Sequence, residues 1–405
     1  NDFAKPLTYT VKAEDKSEKK YVIKISLLAE VKSAVPHIYI TTADQAPVNS
    51  KDTYVKAEIR INGGGVFEDY IGSMSIKGRG NSTWSYPKKP YRLKLDKKAP
   101  LLGLSAEKDW ILLANYLDES LMCNAVAMKA GRLLEMPFTH HMIPVDVTMN
   151  GVYLGNYMFT EHKEVEENRI NVGEGGLLLE LDTYFDEPYK FLSKNYQLPV
   201  MIQYPELDDL TSAEATAELN KIKSDFNIFD DAVNDAAFPH NNYLKYFDAE
   251  AFVNYLIVYT LTLNEEINHP KSTYIYKKKD GKYTMGPIWD FDWGFGFQTS
   301  YKHFTNPNQP LFWNNNSVGT VFFGRLMQDP VIKSLFKQKW ILFKKESYPK
   351  LIKYAQEYAA VIRDSFNKDY IIWKNGSGNL DTELNRMLTW FDARVNYIDN
   401  LTAQW

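Results

Sequence analysis

Residues 78–95 read GRGNSTWSYPKKPYRLKL, and this stretch decides how the chain is built. Pro87 and Pro90 keep the backbone before them extended. After them Tyr91, Leu93 and Leu95 alternate with Arg92 and Lys94, the period of a half-buried strand. Arg92 and Lys94 then share one face, and Lys89 stands at the strand's entrance. Gly78 and Gly80 flank Arg79, followed by small polar residues that can present N–H groups to an anion. Arg79 adds a two-pronged donor for phosphate or carboxylate. No GK[ST] closes the loop, so it is not a Walker A motif. The competing reading is a tight turn with a structural salt bridge, next to a solvated basic edge that discourages strand aggregation.

Outward from this stretch, YVKAEIRIN at 54–62 is an amphipathic strand followed by a glycine turn at 63–65. Residues 1–50 hold β-patterns (TYTVKAE, KKYVIKISLL, PHIYITT) with a charged turn, DKSEKK, between the first two. They are either the remnant of a small sandwich module or the first strands of the main domain. Downstream, a helix is expected over about 118–134 with Asp118 or Ser120 at its cap. Asn150-Gly151 and Asp280-Gly281 mark two hairpins. Leu177–Leu181 reads as a strand, Thr211 with Glu214 as a capping box, and Asp248 to about Leu263 as a buried helix. From about 320 the chain is mainly helical, with Leu384, Leu388, Phe391, Val395 and Ile398 at helical spacing. The expected class is α+β: a strand-rich N-terminal part and a helical C-terminal part, with residues 51–405 forming one large domain.

Composition narrows function. With 47 basic and 51 acidic residues the formal net charge is -4, and no long basic tract suits a nucleic acid. The single cysteine, Cys123, sits in a helical pattern and reads as a small buried hydrophobe. No run of 18 apolar residues predicts a membrane span. The opening NDFAKPLTYT reads as a mature or trimmed start. No HExxH or His/Cys cluster suggests zinc. The many tyrosines and tryptophans suit a core and also a groove for sugars or peptides.

Two acidic turns carry the chemistry. In Trp289-Asp290-Phe291-Asp292-Trp293-Gly294, extended backbone puts both aspartates on one face, where they repel unless a cation or arginine neutralises them. Mg²⁺ held by one or two carboxylates and phosphate oxygens is one solution. The other is that one aspartate caps a turn while its neighbour pairs with arginine. Asn264-Glu265-Glu266 ends the buried helix, one hairpin earlier, so folding back would unite the two turns. Glu161, at the end of the Asn150-Gly151 hairpin, is a candidate partner for a phosphate-binding lysine, or ordinary surface charge. Glu180 and Asp182 share a strand face and keep a carboxylate-pair hydrolase open.

GRGNSTWSYPKKPYRLKL, WILLANYLDES, MNGVYLGNYMFTEH and GPIWDFDWGFG, in that order, resemble the CotH family of spore-coat-type proteins. The resemblance implies an atypical protein-kinase-like fold and exported or cell-surface bacterial members, a lipoprotein with its signal removed included. It implies transfer of phosphate from ATP, with Mg²⁺ or Mn²⁺, to serine or threonine hydroxyls of surface proteins. Carried onto this chain, Asp290 is the metal-binding and catalytic aspartate and Asp292 assists it. Lys89 and Arg92 are the phosphate contacts, and the resemblance does not choose between them. Glu161 is the lysine partner. Glu266 stands where the family has a catalytic aspartate. Its extra methylene matters, because a 1 Å misplacement costs roughly 10²-fold in rate. Cys123-Asn124 stands where the family often has Arg-Asn. A monomer is expected. The alternative is a non-catalytic structural, glycan- or peptide-binding protein on a kinase-like fold.

Overall fold

The computed structural model describes residues 7–12, 18–23, 34–296, 305–314 and 316–405. The chain divides into two compact units, Asn1–Ser33 and Ala34–Trp405. In the first, strand β1 (Leu7–Lys12) pairs antiparallel with β2 (Glu18–Ile23). The charged turn expected between them falls, over 15–17, outside the described residues.

The second unit starts with seven strands: β3 (His37–Thr42), β4 (Val55–Asn62), β5 (Tyr70–Gly78), β6 (Tyr91–Ala99), β7 (Glu107–Leu113), β8 (Ile143–Met149) and β9 (Val152–Glu161). They close into a barrel in the order β3-β4-β5-β6-β7-β9-β8. Alternation supplies its filling: Ile38, Ile40, Ile59, Ile61, Met74, Ile76, Leu93 and Leu95 point inward and are at most 1% exposed. Each such side chain contributes roughly 2 kcal/mol by leaving water. The β8–β9 hairpin turns through Asn150 (φ 51°) and Gly151 (φ 79°), the left-handed pair of a type I′ turn.

The domain border differs from the one expected at residue 50. Residues 37–42 belong to the barrel, because β3 closes it by pairing parallel with β8, Ile38 opposite Val147. The partner lies more than a hundred residues away, so no local pattern reveals the pairing.

A second sheet follows, of β10 (Leu177–Leu181), β11 (Lys190–Leu192), β12 (Pro199–Tyr204), β13 (Thr273–Lys277) and β14 (Thr284–Met285), in the order β11-β12-β10-β13-β14. The helices are α1 (Cys123–Leu133), α2 (Ser212–Asn234), α3 (Ala249–Thr262), α4 (Val318–Leu326), α5 (Pro330–Leu342), α6 (Tyr348–Trp373) and α7 (Leu380–Ala403). Asp118 accepts the N–H of Cys123 (2.7 Å) at the start of α1, and Thr211 and Glu214 form the capping box of α2. Helix α3 is buried from Ala251 to Thr262 on every face, which its apolar sequence requires.

One buried charge pair ties barrel to helices. The Lys88 ammonium donates to Asn156 O on β9 and to Asp369 Oδ2 on α6, both at 2.5 Å. Asn156 N donates to the same carboxylate oxygen at 2.8 Å. Gly155 (φ 107°) lets the helix come this close, since a Cβ there would lie 2.3 Å from Asp369 Oδ2.

Candidate active site

A cleft of 410 Å³ opens between the barrel and the second sheet with the acidic turns. The loop after β5 (Gly78 to Thr83) forms one wall, and the acidic turns form another.

The acidic side is built by the end of α3. Leu263 turns left-handed (φ 51°) and releases Asn264 from the helix. Asn264 Oδ1 accepts the N–H of Glu266 (3.1 Å), and its Nδ2 donates to Asp290 O (2.7 Å). A single asparagine thus ties the two acidic turns together. Phe291 N donates to Asn124 Oδ1 on α1 (2.8 Å), and Phe295 N to Thr262 O (2.7 Å). Asp290 is held at φ 63°, a conformation that side-chain-bearing residues adopt rarely and mostly under constraint.

Burial, with the neighbouring charge of Asp290, pushes the Glu266 carboxyl well above its ordinary range. Burial and Asp290 do the same to Asp292. Glu266 Oε2 is buried and has no hydrogen-bond partner.

Two cations line the same cleft, Lys163 and Arg79. Lys163 lies two residues beyond β9, and its ammonium donates to the Tyr274 hydroxyl. Tyr274 donates in turn to Glu180 Oε1 at 2.5 Å, and Lys163 Nζ stands 3.9 Å from the same oxygen. The ammonium lies 5.1 Å from the ring centre of Trp289 and 4.3 Å from that of Tyr274. Burial lowers the Lys163 pKa, opposed chiefly by Glu180. The Arg79 guanidinium covers the Trp289 ring at 5.9 Å. Burial lowers its pKa as well, and Asp290 is the main charge working against that.

Of the residues singled out in the sequence, Arg79, Arg92, Glu266, Asp290 and Asp292 line this one cleft. Arg92 is already engaged by Asp109, with Nη2 at 2.7 Å from Oδ1. Lys89 and Glu161 are placed elsewhere. Lys89 donates to Trp84 O (2.7 Å), because the irregular turn between the two prolines sends its neighbour Lys88 inward. Glu161 accepts from His141 N (2.9 Å) and lies 2.6 Å from His141 Nδ1, where a lysine partner was expected. Glu180 and Asp182, the other carboxylate pair that the sequence singles out, also line this cleft. Asp182 is occupied by the N–H groups of Tyr184 (2.7 Å) and Ser272 (3.0 Å), and Glu180 by Tyr274.

Lys163 is a cleft residue that its sequence context hides. It sits in FTEHKEVEE, whose charge density reads as surface, and the distant rings of Trp289 and Tyr274 cover its ammonium. Cys123 is buried, and burial pushes its thiol up, so it is no nucleophile.

The fold and the cleft define a protein in which a closed barrel meets a second sheet and two acidic turns around a shared group of carboxylates and cations. The chain belongs to the CotH family, whose model, described as CotH kinase protein, matches residues 76–398. None of the curated proteins compared with the chain matches it. No helix among the described residues is long and apolar enough to cross a membrane.

The pairing of Glu161 with His141 gives a pH prediction. Burial alone would raise this carboxyl, but the His141 hydrogen bond and charge hold it at about 2, against an ordinary 4.5. A depressed carboxyl adds stability above its unfolded pKa and loses it as pH falls through the folded one. About 3 kcal/mol should therefore vanish between roughly pH 5 and pH 2. Urea midpoints measured across that window should fall less steeply for Glu161→Gln than for the unaltered chain.

Proposed function

We propose that the chain transfers the terminal phosphoryl group of ATP to a serine or threonine hydroxyl on an exported or surface protein, as a monomer with a kinase-like fold. One observation carries this reading. Asp290, Asp292 and Glu266 meet in one cleft, facing the Lys163–Tyr274–Glu180 chain and Arg79. Carboxylates that hold metal opposite a lysine paired with glutamate are the parts phosphoryl transfer uses.

Among the described residues no three His, Cys, Asp or Glu side chains form a metal cage of their own. Mg²⁺ does not ask for one, since it takes one or two carboxylates and completes its shell with phosphate oxygens and water. Asp290 and Asp292 fit that need, and the unpartnered Glu266 Oε2 leaves a buried acceptor beside them. Mg²⁺ or Mn²⁺ held there would neutralise charge on the transferring phosphoryl group.

The chain's own residues do the rest. Lys163 and Arg79 draw in and orient phosphate oxygens. Glu180, through Tyr274, fixes the Lys163 ammonium. Glu266 accepts the proton of the attacking hydroxyl as its oxygen bonds to the γ-phosphorus and the bond to ADP breaks. The test is incorporation of labelled phosphate from ATP into a serine-bearing acceptor in the presence of either metal, with Asp290→Ala as control. Metal-dependent incorporation that this variant loses is expected, and its absence in the unaltered protein refutes the reading. Lys163→Met should lower kcat/KM by about 10²–10³, the usual loss when one charge-stabilising donor is removed. Steady-state kinetics at matched metal concentration checks this.

A second reading has its own observation. Glu266 is pushed up by burial and by Asp290, and a neutral acid accepts no proton. A protein left in that state would bind surface glycans or peptides without transferring phosphate. Binding of such ligands, unaffected by ATP and metal, would favour it.

A further inference from the structure

We infer that Arg394 and Trp313 are positioning residues for phosphoryl transfer, holding Glu266 at the cleft through a strap, residues 307–313, tied to the turn that carries it. Such a role presupposes the phosphate transfer proposed above and adds what fixes the group that takes the proton.

Glu266 is delivered to the cleft by the end of α3, so whatever directs that end directs the carboxyl. A helix leaves its last four carbonyls without partners inside itself. Here all four are met. Asn264 N donates to Tyr259 O (3.0 Å), and Phe295 N donates to Thr262 O (2.7 Å). Helix α7 meets the other two. Trp390 Nε1 donates to Leu261 O (3.3 Å), and Arg394 donates twice to Thr260 O, from Nε at 2.9 Å and from Nη2 at 2.6 Å.

The remaining arm of Arg394 reaches the strap. Its Nη1 donates to Pro307 O (2.7 Å) and to Gln309 O (2.9 Å). One side chain therefore sets the spacing between the end of α3 and the strap. Arg394 is 0% exposed, and among the described residues its hydrogen-bond partners are these three carbonyls rather than a carboxylate. A buried charge held in this way is costly. A hydrophobic side chain of equal volume would fill the space without fixing the carbonyls.

The strap is tied to the turn on both sides of Glu266. The Trp313 indole donates to Glu265 Oε2, and Asn268 Nδ2 donates to Leu311 O at 2.8 Å. Glu265 is 3% exposed, so the indole N–H supplies a bond that water cannot. The start of α4 backs the same turn: Thr320 N donates to Asn268 O (3.1 Å), and Thr320 Oγ1 to Asn268 Oδ1 (2.6 Å). Glu266 itself lines the cleft, with Oε2 unpartnered. Its neighbours are bonded in place while its own acceptor stays open, the arrangement a proton-accepting group requires.

The experiment measures steady-state and single-turnover transfer of labelled phosphate from ATP with Mg²⁺. It uses the unaltered chain, Arg394→Lys and Trp313→Phe, each with and without Glu266→Gln. Thermal melts show that each variant is folded. Lysine keeps the charge but cannot meet all three carbonyls, and phenylalanine keeps a ring but loses the N–H. Both substitutions should lower kcat roughly tenfold to a hundredfold, since a misplacement of about 1 Å costs about 10²-fold, and leave KM for ATP unchanged. With Glu266→Gln present, neither should lower the remaining transfer further, because the group they position is gone. Should Arg394→Lys fail to fold, Trp313→Phe decides, since its ring is 40% exposed and its loss leaves the core intact. Unchanged kcat in the folded variants overturns the positioning role and leaves phosphate transfer standing. So do equal losses with and without the Glu266 carboxyl, which mark a residue that serves folding alone. No transfer by the unaltered chain overturns both together.

Discussion

Asparagine in place of Asp290 is expected to abolish metal-dependent phosphoryl transfer, a fall of about 10³ or more in kcat, while raising the melting temperature of the metal-free protein by roughly 2 °C. The two effects have one cause. In the absence of a bound cation Asp290 crowds two buried carboxyls, Glu266 and Asp292, against one main opposite charge, Arg79, and removing it should relieve more repulsion than attraction. Asparagine keeps the left-handed backbone at φ 63° accessible and removes the charge. The unaltered protein should be stabilised by Mg²⁺ or Mn²⁺. Metal at a hundred times its dissociation constant adds about 2.7 kcal/mol, or roughly 3–4 °C for a chain of this size. Asp290→Asn should melt at the same temperature with and without metal. Melting curves and single-turnover phosphate transfer on the same samples check both halves. A variant less stable than its parent when metal-free would show that Asp290 holds the fold rather than the cation.

Removing the Lys88 ammonium should give a large stability loss. Lys88 is 1% exposed and Asp369 is buried against it at 2.5 Å. Lys88→Met leaves the Asp369 carboxylate buried without its counter-charge, which typically costs about 3–5 kcal/mol. Lys88→Met combined with Asp369→Leu should recover much of that loss, since no stranded charge remains. Asp369 also accepts the N–H of Asn156, so part of the loss should persist in the double variant. Urea denaturation of the two single variants and the double variant measures the coupling directly. A strictly additive double variant would mean that each residue acts through packing alone.

Where contacts are local, the sequence states them. Strand Leu177–Leu181, the type I′ turn at Asn150-Gly151 and the cap at Thr211 follow from residues within a few positions of each other. The convergence of Glu266 and Asp290 was also legible, because one short hairpin separates the two turns and returns the chain on itself. Barrel closure was not, since β3 and β8 meet across more than a hundred residues. The basic segment misled for a related reason. In PKKP neither lysine obeys strand alternation, so which one turns inward is decided by Asp369, far along the chain. Lys163 was hidden because a lysine among four glutamates reads as solvated until Trp289 and Tyr274 cover it. Glu161 pairs with His141 rather than with a lysine, a partner hidden in the sequence because it lies on the preceding segment rather than on a strand.

The most direct test is a crystal grown with Mn²⁺ and a non-hydrolysable ATP analogue, read by anomalous scattering. A manganese peak is expected on the carboxylates of Asp290 and Asp292, with phosphate density reaching Lys163 and Arg79. A peak elsewhere, or a nucleotide bound away from those four side chains, would contradict that placement.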